Sequence, residues 1–308
     1  MVTAQIGSSV KYLFINLSQN RVSMIDKIKY IFSGHETFQC KTLWLKKGYD
    51  FVKAGRDFND SDAVIYLGVG KNMVSAIRYW MKAFGLLNND TLTNIAHYIF
   101  DDNLGKDPFS EDLATLWLFH YLIVNTNHAS LYKLVFDDFH RDRKEFSIEQ
   151  LQRFVRRHCR DNGFDNLYNE NTVKKDIDVL LKNYTLPSDS KTNEDYSVLL
   201  LELNLTRADN EQKVYFFNDS GKRAITPEVF LYALLDRKGD DKSVSFDTLL
   251  DLARLFCMNT EELLLCIKHL TDIFQEDFVF TDNAGIKQIQ FLKDLNKFDV
   301  INHYFFNR

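Results

Sequence analysis

NDSDAVIYLGVGKNMVSAIRYWMKAFGLL, residues 59–87, decides how the rest of the chain is read. Asp60 or Ser61 can cap a short helix, the Gly68 to Gly70 bend interrupts it, and a second helix runs from Lys71 to about Phe84, before Gly85. With about 100° per residue, Met73, Val74, Ile77, Trp80, Met81 and Phe84 share one third of that helix's circumference. Lys71, Ser75, Arg78 and Lys82 cluster on another face, flanked by Asn72 and Tyr79. An apolar back and a cationic, amide-bearing front after a glycine turn is what a helix-turn-helix or winged helix presents to a DNA groove. GVGKN (68–72) is not a nucleotide-binding P-loop: Ile65 stands where its first glycine belongs, and Asn72 replaces the hydroxyl that would hold magnesium.

Upstream, FSGHETF (32–38) carries two compatible readings. Ser33 and Glu36 have capping-box spacing, Leu43, Trp44 and Leu45 supply an apolar body, Lys46 and Lys47 suit the negative dipole end, and Gly48 can take a left-handed stop. One helix over about 34–47 is expected. The same helix start would offer free backbone N–H groups to a phosphate that Ser33 also touches, while His35 moves a proton and Glu36 binds a divalent cation or orients a water. A zinc-protease HExxH reading fails because Gln39 stands where the second histidine must lie.

The 308 residues, 45% apolar with only 3 Pro and 12 Gly, favour an ordered protein rich in helices. Cys40, Cys159, Cys257 and Cys266 form no CxxC pair, and without a signal peptide the expectation is a reducing cytoplasm with free thiols. Cys40 could accept sulfur, but a half-buried helix cysteine is the simpler reading. The apolar stretch Val10 to Leu17 is too short for a membrane span, and Met24 could be an alternative start. Net charge is −5, which argues against a uniformly basic nucleic-acid binder, yet two segments are basic. Lys41 to Lys82 has eight Lys/Arg against four Asp, and Arg143 to Arg160 has six against two Glu. Polyanions should meet the first half of the chain.

Farther on, EDLATLWLFHYLIVN reads as a central apolar helix, SIEQLQRFVRRHC as an amphipathic one, and NENTVKKDIDVLLKNY as another two-faced helix. The last has Val173, Ile177, Leu180, Leu181 and Tyr184 behind and Lys174, Lys175, Asp178 and Lys182 in front. Pro187 to Asp195 is a candidate linker; YSVLLLELNL and KVYFFN read as strand-like, and FVFTDNAGIKQIQF as a β-ribbon. Asp101, Asp102, Asp107, Glu111 and Asp112 could hold magnesium, although an acidic helix cap is the commoner reading.

FSGHETFQCKTLWLKKGYDFV, the glycine-turn segment, LATLWLFHYLI and NTVKKDIDVLLKNY together resemble a bacterial family described as a domain of unknown function. Its members lie in DNA phosphorothioation and phage-defence gene clusters. The resemblance runs from about residue 30 to the end. It implies a DNA-nicking component, supported by magnesium, that cuts one strand so that sulfur can replace a non-bridging phosphate oxygen. Implied partners are DNA, an ATPase and a reductase-like sulfur-transfer protein, with no membrane.

The expected fold is mainly α with small β-ribbons, organised as helix-turn-helix or winged-helix-like modules. Expected boundaries are an N-terminal extension (1–30), a DNA-binding domain carrying the nicking site (31–135), a second winged-helix-like module (136–190) and a C-terminal mixed α/β module (191–308). Ser33, His35 and Glu36 are the catalytic candidates, with Glu36 also the candidate ligand for Mg2+. Lys41, Lys71, Asn72, Ser75, Arg78, Tyr79, Lys82, Lys174 and Lys175 are the candidates for nucleic-acid contact. A non-catalytic DNA-binding adaptor and a transcription regulator are the competing expectations.

Overall fold

In a computed structural model, which describes residues 30–188, 196–219, 225–283 and 285–308, helices α1 (Trp44–Lys53), α2 (Ala63–Leu67) and α3 (Lys71–Ala83) precede a short hairpin. Gly68 ends α2 in the left-handed conformation (φ 63°), as the glycine bend predicts, and Val74, Ile77, Trp80 and Met81 are buried on the back of α3. The hairpin pairs β1 (Leu87–Asn88) with β2 (Thr91–Leu92). The extension expected before residue 30, Met24 within it, and residues 189–195 of the expected linker lie outside the described residues.

The helix expected over 34–47 does not form there. Ser33 and Glu36 both have positive φ (68° and 50°), which no helical first turn allows, so the capping box is absent and the helix begins only at Trp44. Gly48, expected as a stop, lies inside α1: a Cβ there would stand 2.9 Å from Met81 Cγ and 3.0 Å from Ile77 Cγ2. The glycine lets α1 approach α3.

After α4 (Asn94–Phe100) comes α5 (Leu113–Thr126), buried from Ala114 through Val124 on every face. Such all-round burial marks a central helix. His120 on α5 meets Tyr184 Oη (2.8 Å) through Nδ1 and the Leu255 carbonyl (2.8 Å) through Nε2, tying α5 to two later helices. The acidic residues before it are spent locally. Asp107 accepts from the N–H groups of Glu111 and Asp112, Asp112 caps α5, and Asp101 and Asp102 pair with Lys53 and Lys46.

Two units of like topology follow. The first is a helical stretch from α6 (Ser130–Lys133) to Arg141, then β3 (Glu145–Phe146), α7 (Ile148–Asp161), α8 (Glu170–Tyr184), β4 (Thr206–Asp209) and β5 (Val214–Phe217). The second is α9 (Pro227–Lys238), β6 (Ser243–Ser245), α10 (Phe246–Leu255), α11 (Thr260–Ile273), β7 (Phe278–Asn283) and β8 (Ile286–Phe291). In each, the lone strand joins a hairpin beside its second strand, giving antiparallel orders β3-β5-β4 and β6-β8-β7. Local chemistry starts the helices: Ser147 and Gln150 close a capping box on α7, Asn169 caps α8, and Asn259 with Glu262 does the same for α11.

KVYFFN supplies β5 and FVFTDNAGIKQIQF the β7–β8 ribbon, whereas YSVLLLELNL forms a 3-10 turn at Leu201–Leu203 instead of a strand. Its leucines are buried without needing a ladder. The pairing of β3 with β5 carries the first unit's sheet beyond residue 190. Helix α12 (Lys297–Asn307) packs on α9, and Ile31–Arg308 forms one compact unit. The described residues are mixed α/β, about 54% helix and 12% strand.

Candidate functional site

The 31–43 segment has no helix or ladder of its own, so its backbone groups must find partners elsewhere. Ile31 N–H donates to Ser130 Oγ (2.8 Å), Trp80 Nε1 donates to the Phe38 carbonyl (3.2 Å), Cys40 N–H donates to Asn183 Oδ1 (3.3 Å), and Leu199 N–H donates to the Cys40 carbonyl (2.9 Å). Between these anchors the chain makes a tight turn closed by Phe38 N–H on the His35 carbonyl (2.8 Å). Ser33, Gly34, Glu36 and Thr37 all have positive φ. For Thr37, a β-branched residue, that conformation is a true outlier, and such strain persists only where surrounding contacts over-determine it. Gly34 is required twice over: φ is 105°, and a Cβ would fall 2.6 Å from Tyr79 Cδ2.

His35 at the centre is 3% exposed. Its ring stacks on Trp80 (centroids 5.8 Å, 16°) and meets Tyr79 edge-on (5.6 Å, 79°). Nδ1 accepts from Thr37 N–H (3.1 Å), so the neutral ring carries its proton on Nε2, which donates to Asp176 Oδ1 (2.9 Å). The other carboxylate oxygen, Oδ2, accepts Ser33 N–H (2.8 Å). Asp176 is itself 5% exposed and comes from α8, 141 residues along the chain. A buried carboxylate needs such partners. Together the imidazole and carboxylate clamp both sides of the turn, and neither ring nitrogen is offered to solvent.

What the clamp presents outward is different. Ser33, Gly34, Glu36 and Thr37 are exposed, and the N–H groups of Gly34, His35 and Glu36 have no hydrogen-bond partner among the described residues. Successive free N–H groups in a turn with left-handed residues form a concavity suited to an anion. The turn exposes a serine hydroxyl and a carboxylate on either side of the buried His35.

The expected basic front of α3 is dispersed. Lys71, Asn72 and Ser75 are exposed. Arg78 forms a two-point contact with Asp90 (2.9 and 2.6 Å), Lys82 reaches the same carboxylate (3.0 Å), and the guanidinium holds the Asp90 carboxyl well below its usual range. Tyr79 is buried, turned to His35 and to His128 (centroids 5.3 Å) rather than outward; burial, then the charge of Asp176, push its hydroxyl pKa up. Burial, then Lys82, hold His128 below its usual value. Lys41 is half-buried, bridging Val198, while Lys174 and Lys175 are exposed on α8. Cys40 is fully buried, and burial drives its thiol pKa up.

Sequence reasoning missed Asp176 and Asn183. Both lie in the buried arc of α8, one turn from Val173 and Leu180 respectively, and seven residues apart. A carboxylate and an amide at buried spacing are the available signal, since buried polar groups need partners.

Residues 32–305 match the family model "Protein of unknown function (DUF4007)". The chain belongs to that family. No curated protein matches it. Two solved structures, a magnesium ion-bound SspB and another SspB crystal structure, are each 25% identical to this DUF4007 chain, covering 90% of it and 88% of their own length, with TM-scores of 0.75 and 0.76. No helix among the described residues is long and apolar enough to cross a membrane.

Proposed function

We propose that this protein acts in an Ssp-type DNA phosphorothioation system as its DNA-binding, DNA-nicking component, and that the 33–37 turn receives the phosphodiester. The observation that carries the reading is the strained, clamped turn itself: a buried pair from two distant parts of the chain holds exposed Ser33 and Glu36 on a turn of left-handed residues. The similarity to the SspB structures supports the system. The helix–strand–helix–helix–hairpin units are read as winged helices that grip the DNA, with the glycine-turn unit as a third.

In this reading the N–H groups meet the phosphate's charge, and a water attacks phosphorus while Glu36 takes its proton. A phosphorus–oxygen bond forms to the water oxygen and a bridging one breaks, and the departing sugar oxygen takes a proton from solvent, leaving a nick. Ser33 orients the phosphate, and His35 is a positioning residue. Partner proteins of the system, an ATPase and a sulfur-transfer protein, would then supply sulfur.

Magnesium needs its own test against the donors present. No group of three or more His, Cys, Asp or Glu side chains stands together among the described residues, and Asp176 commits both oxygens to His35 and Ser33. Glu36 alone does not make a protein site for the ion, and the cleavage step above does not pass through it. A second reading, a DNA-binding adaptor without catalysis, is favoured by the occupation of both His35 nitrogens. Plasmid relaxation separates the two. The purified chain should nick supercoiled DNA, and Ser33→Ala or Glu36→Ala should slow nicking at least about 100-fold with binding unchanged; an inert wild-type chain that binds DNA supports the adaptor.

A further inference from the structure

We infer that a second nucleic-acid contact lies on α7, where Arg143, Arg153 and Arg157 surround a surface cavity of about 290 Å³ that takes a phosphate of the DNA backbone. This rests on reading the chain as a DNA-binding protein.

Unspent charge singles out this place. On α3, Arg78 and Lys82 share an ion pair with Asp90, which cancels one of their two charges. Arg143, Arg153 and Arg157 are exposed and form no ion pair among the described residues. Arg153 and Arg157 are one helical turn apart, so they share a face, and Arg143 reaches the cavity from the chain before β3. Phe154, packed on Phe139 (centroids 5.0 Å) and His158 (5.7 Å), forms its wall.

The capping box adds a fourth donor. Gln150 Oε1 accepts Ser147 N–H (2.9 Å), which orients the amide and leaves its NH2 group for the cavity that Gln150 lines. Glu149, one turn before Arg153, accepts from Ser147 Oγ (2.7 Å) and feels the Arg153 charge without forming an ion pair with it. The cavity's polar lining therefore consists of three guanidinium groups and one amide, with no carboxylate. Guanidinium groups bind phosphate oxygens in pairs, and the anionic group a DNA-binding protein meets repeatedly is the phosphodiester.

The same helix provides a control of equal charge. Arg156 lies over the Tyr168 ring (5.9 Å) and Arg160 pairs with Asp161 (3.3 Å), both away from the cavity. Binding of a labelled DNA duplex by the full chain, measured in EDTA across a range of salt, should compare Arg153→Gln/Arg157→Gln with Arg156→Gln/Arg160→Gln. The first pair should lower the slope of log affinity against log salt by about 0.9, the contribution of the one phosphate no longer neutralised, and the second by less than about 0.3. Equal effects from the two pairs, or none from the first, would overturn the cavity as a phosphate site while leaving the 33–37 turn untouched. A wild-type chain that binds no DNA would overturn both.

Discussion

Gly34 and Thr37 differ in what their backbones tolerate, and that difference is the strain at the site. Gly34 adopts φ 105° freely, and its missing side chain is the space occupied by the Tyr79 ring. Gly34→Ala should destabilise the protein by about 3 kcal/mol, combining backbone strain with overpacking against a ring wedged between His35 and His128. The midpoint of urea unfolding measures this, and an unchanged midpoint would mean that the turn relaxes without cost. FSGHETF was legible as a segment out of the ordinary, and its backbone is unusual: Ser33, Gly34, Glu36 and Thr37 all have positive φ. The capping-box reading failed because spacing alone cannot report φ, and Asp176, far off in sequence, decides the conformation by long-range hydrogen bonds.

Elements were legible wherever apolar periodicity agreed with a terminal signal. α3 after the glycine bend, α7 after Ser147, and α8 after Asn169 all begin where their caps or turns stand. Their exposed faces were less legible, because a lysine or arginine looks alike in sequence whether it meets solvent, a carboxylate or DNA. Asp90 in the β1–β2 hairpin makes that difference for α3. Asp90→Asn should release Arg78 and Lys82 and raise DNA affinity about two- to tenfold at low salt, with a steeper salt dependence. Unchanged binding would indicate that this face of α3 does not approach the duplex.

Across the whole molecule, burial in the central core sets the response to acid. Burial lowers the pKa of both His120 and His140 to about 4, from an ordinary 6.5, against hydrogen bonds that raise them. Both rings are neutral in the folded protein at pH 5, whereas the unfolded chain binds a proton at each below 6.5. Stability from these groups is therefore complete above pH 6.5 and lost progressively as pH falls towards 4. Urea unfolding between pH 7 and 5 should show this decline, and His140→Gln should remove about one of the two protons of linkage. A flat profile would place charged histidines in the core. The repeat of two strand-and-helix units could not be read from sequence, since their likeness lies in sheet order and not in residues.

If the buried His35–Asp176 pair shapes the turn for cleavage, the nicking rate of Asp176→Asn under DNA saturation must register it. Asparagine keeps the shape but removes the charge and one acceptor of the two donors. We expect a rate at least about 30-fold below wild type, with DNA affinity within about threefold. A wild-type rate in a folded Asp176→Asn protein would contradict this role for the pair.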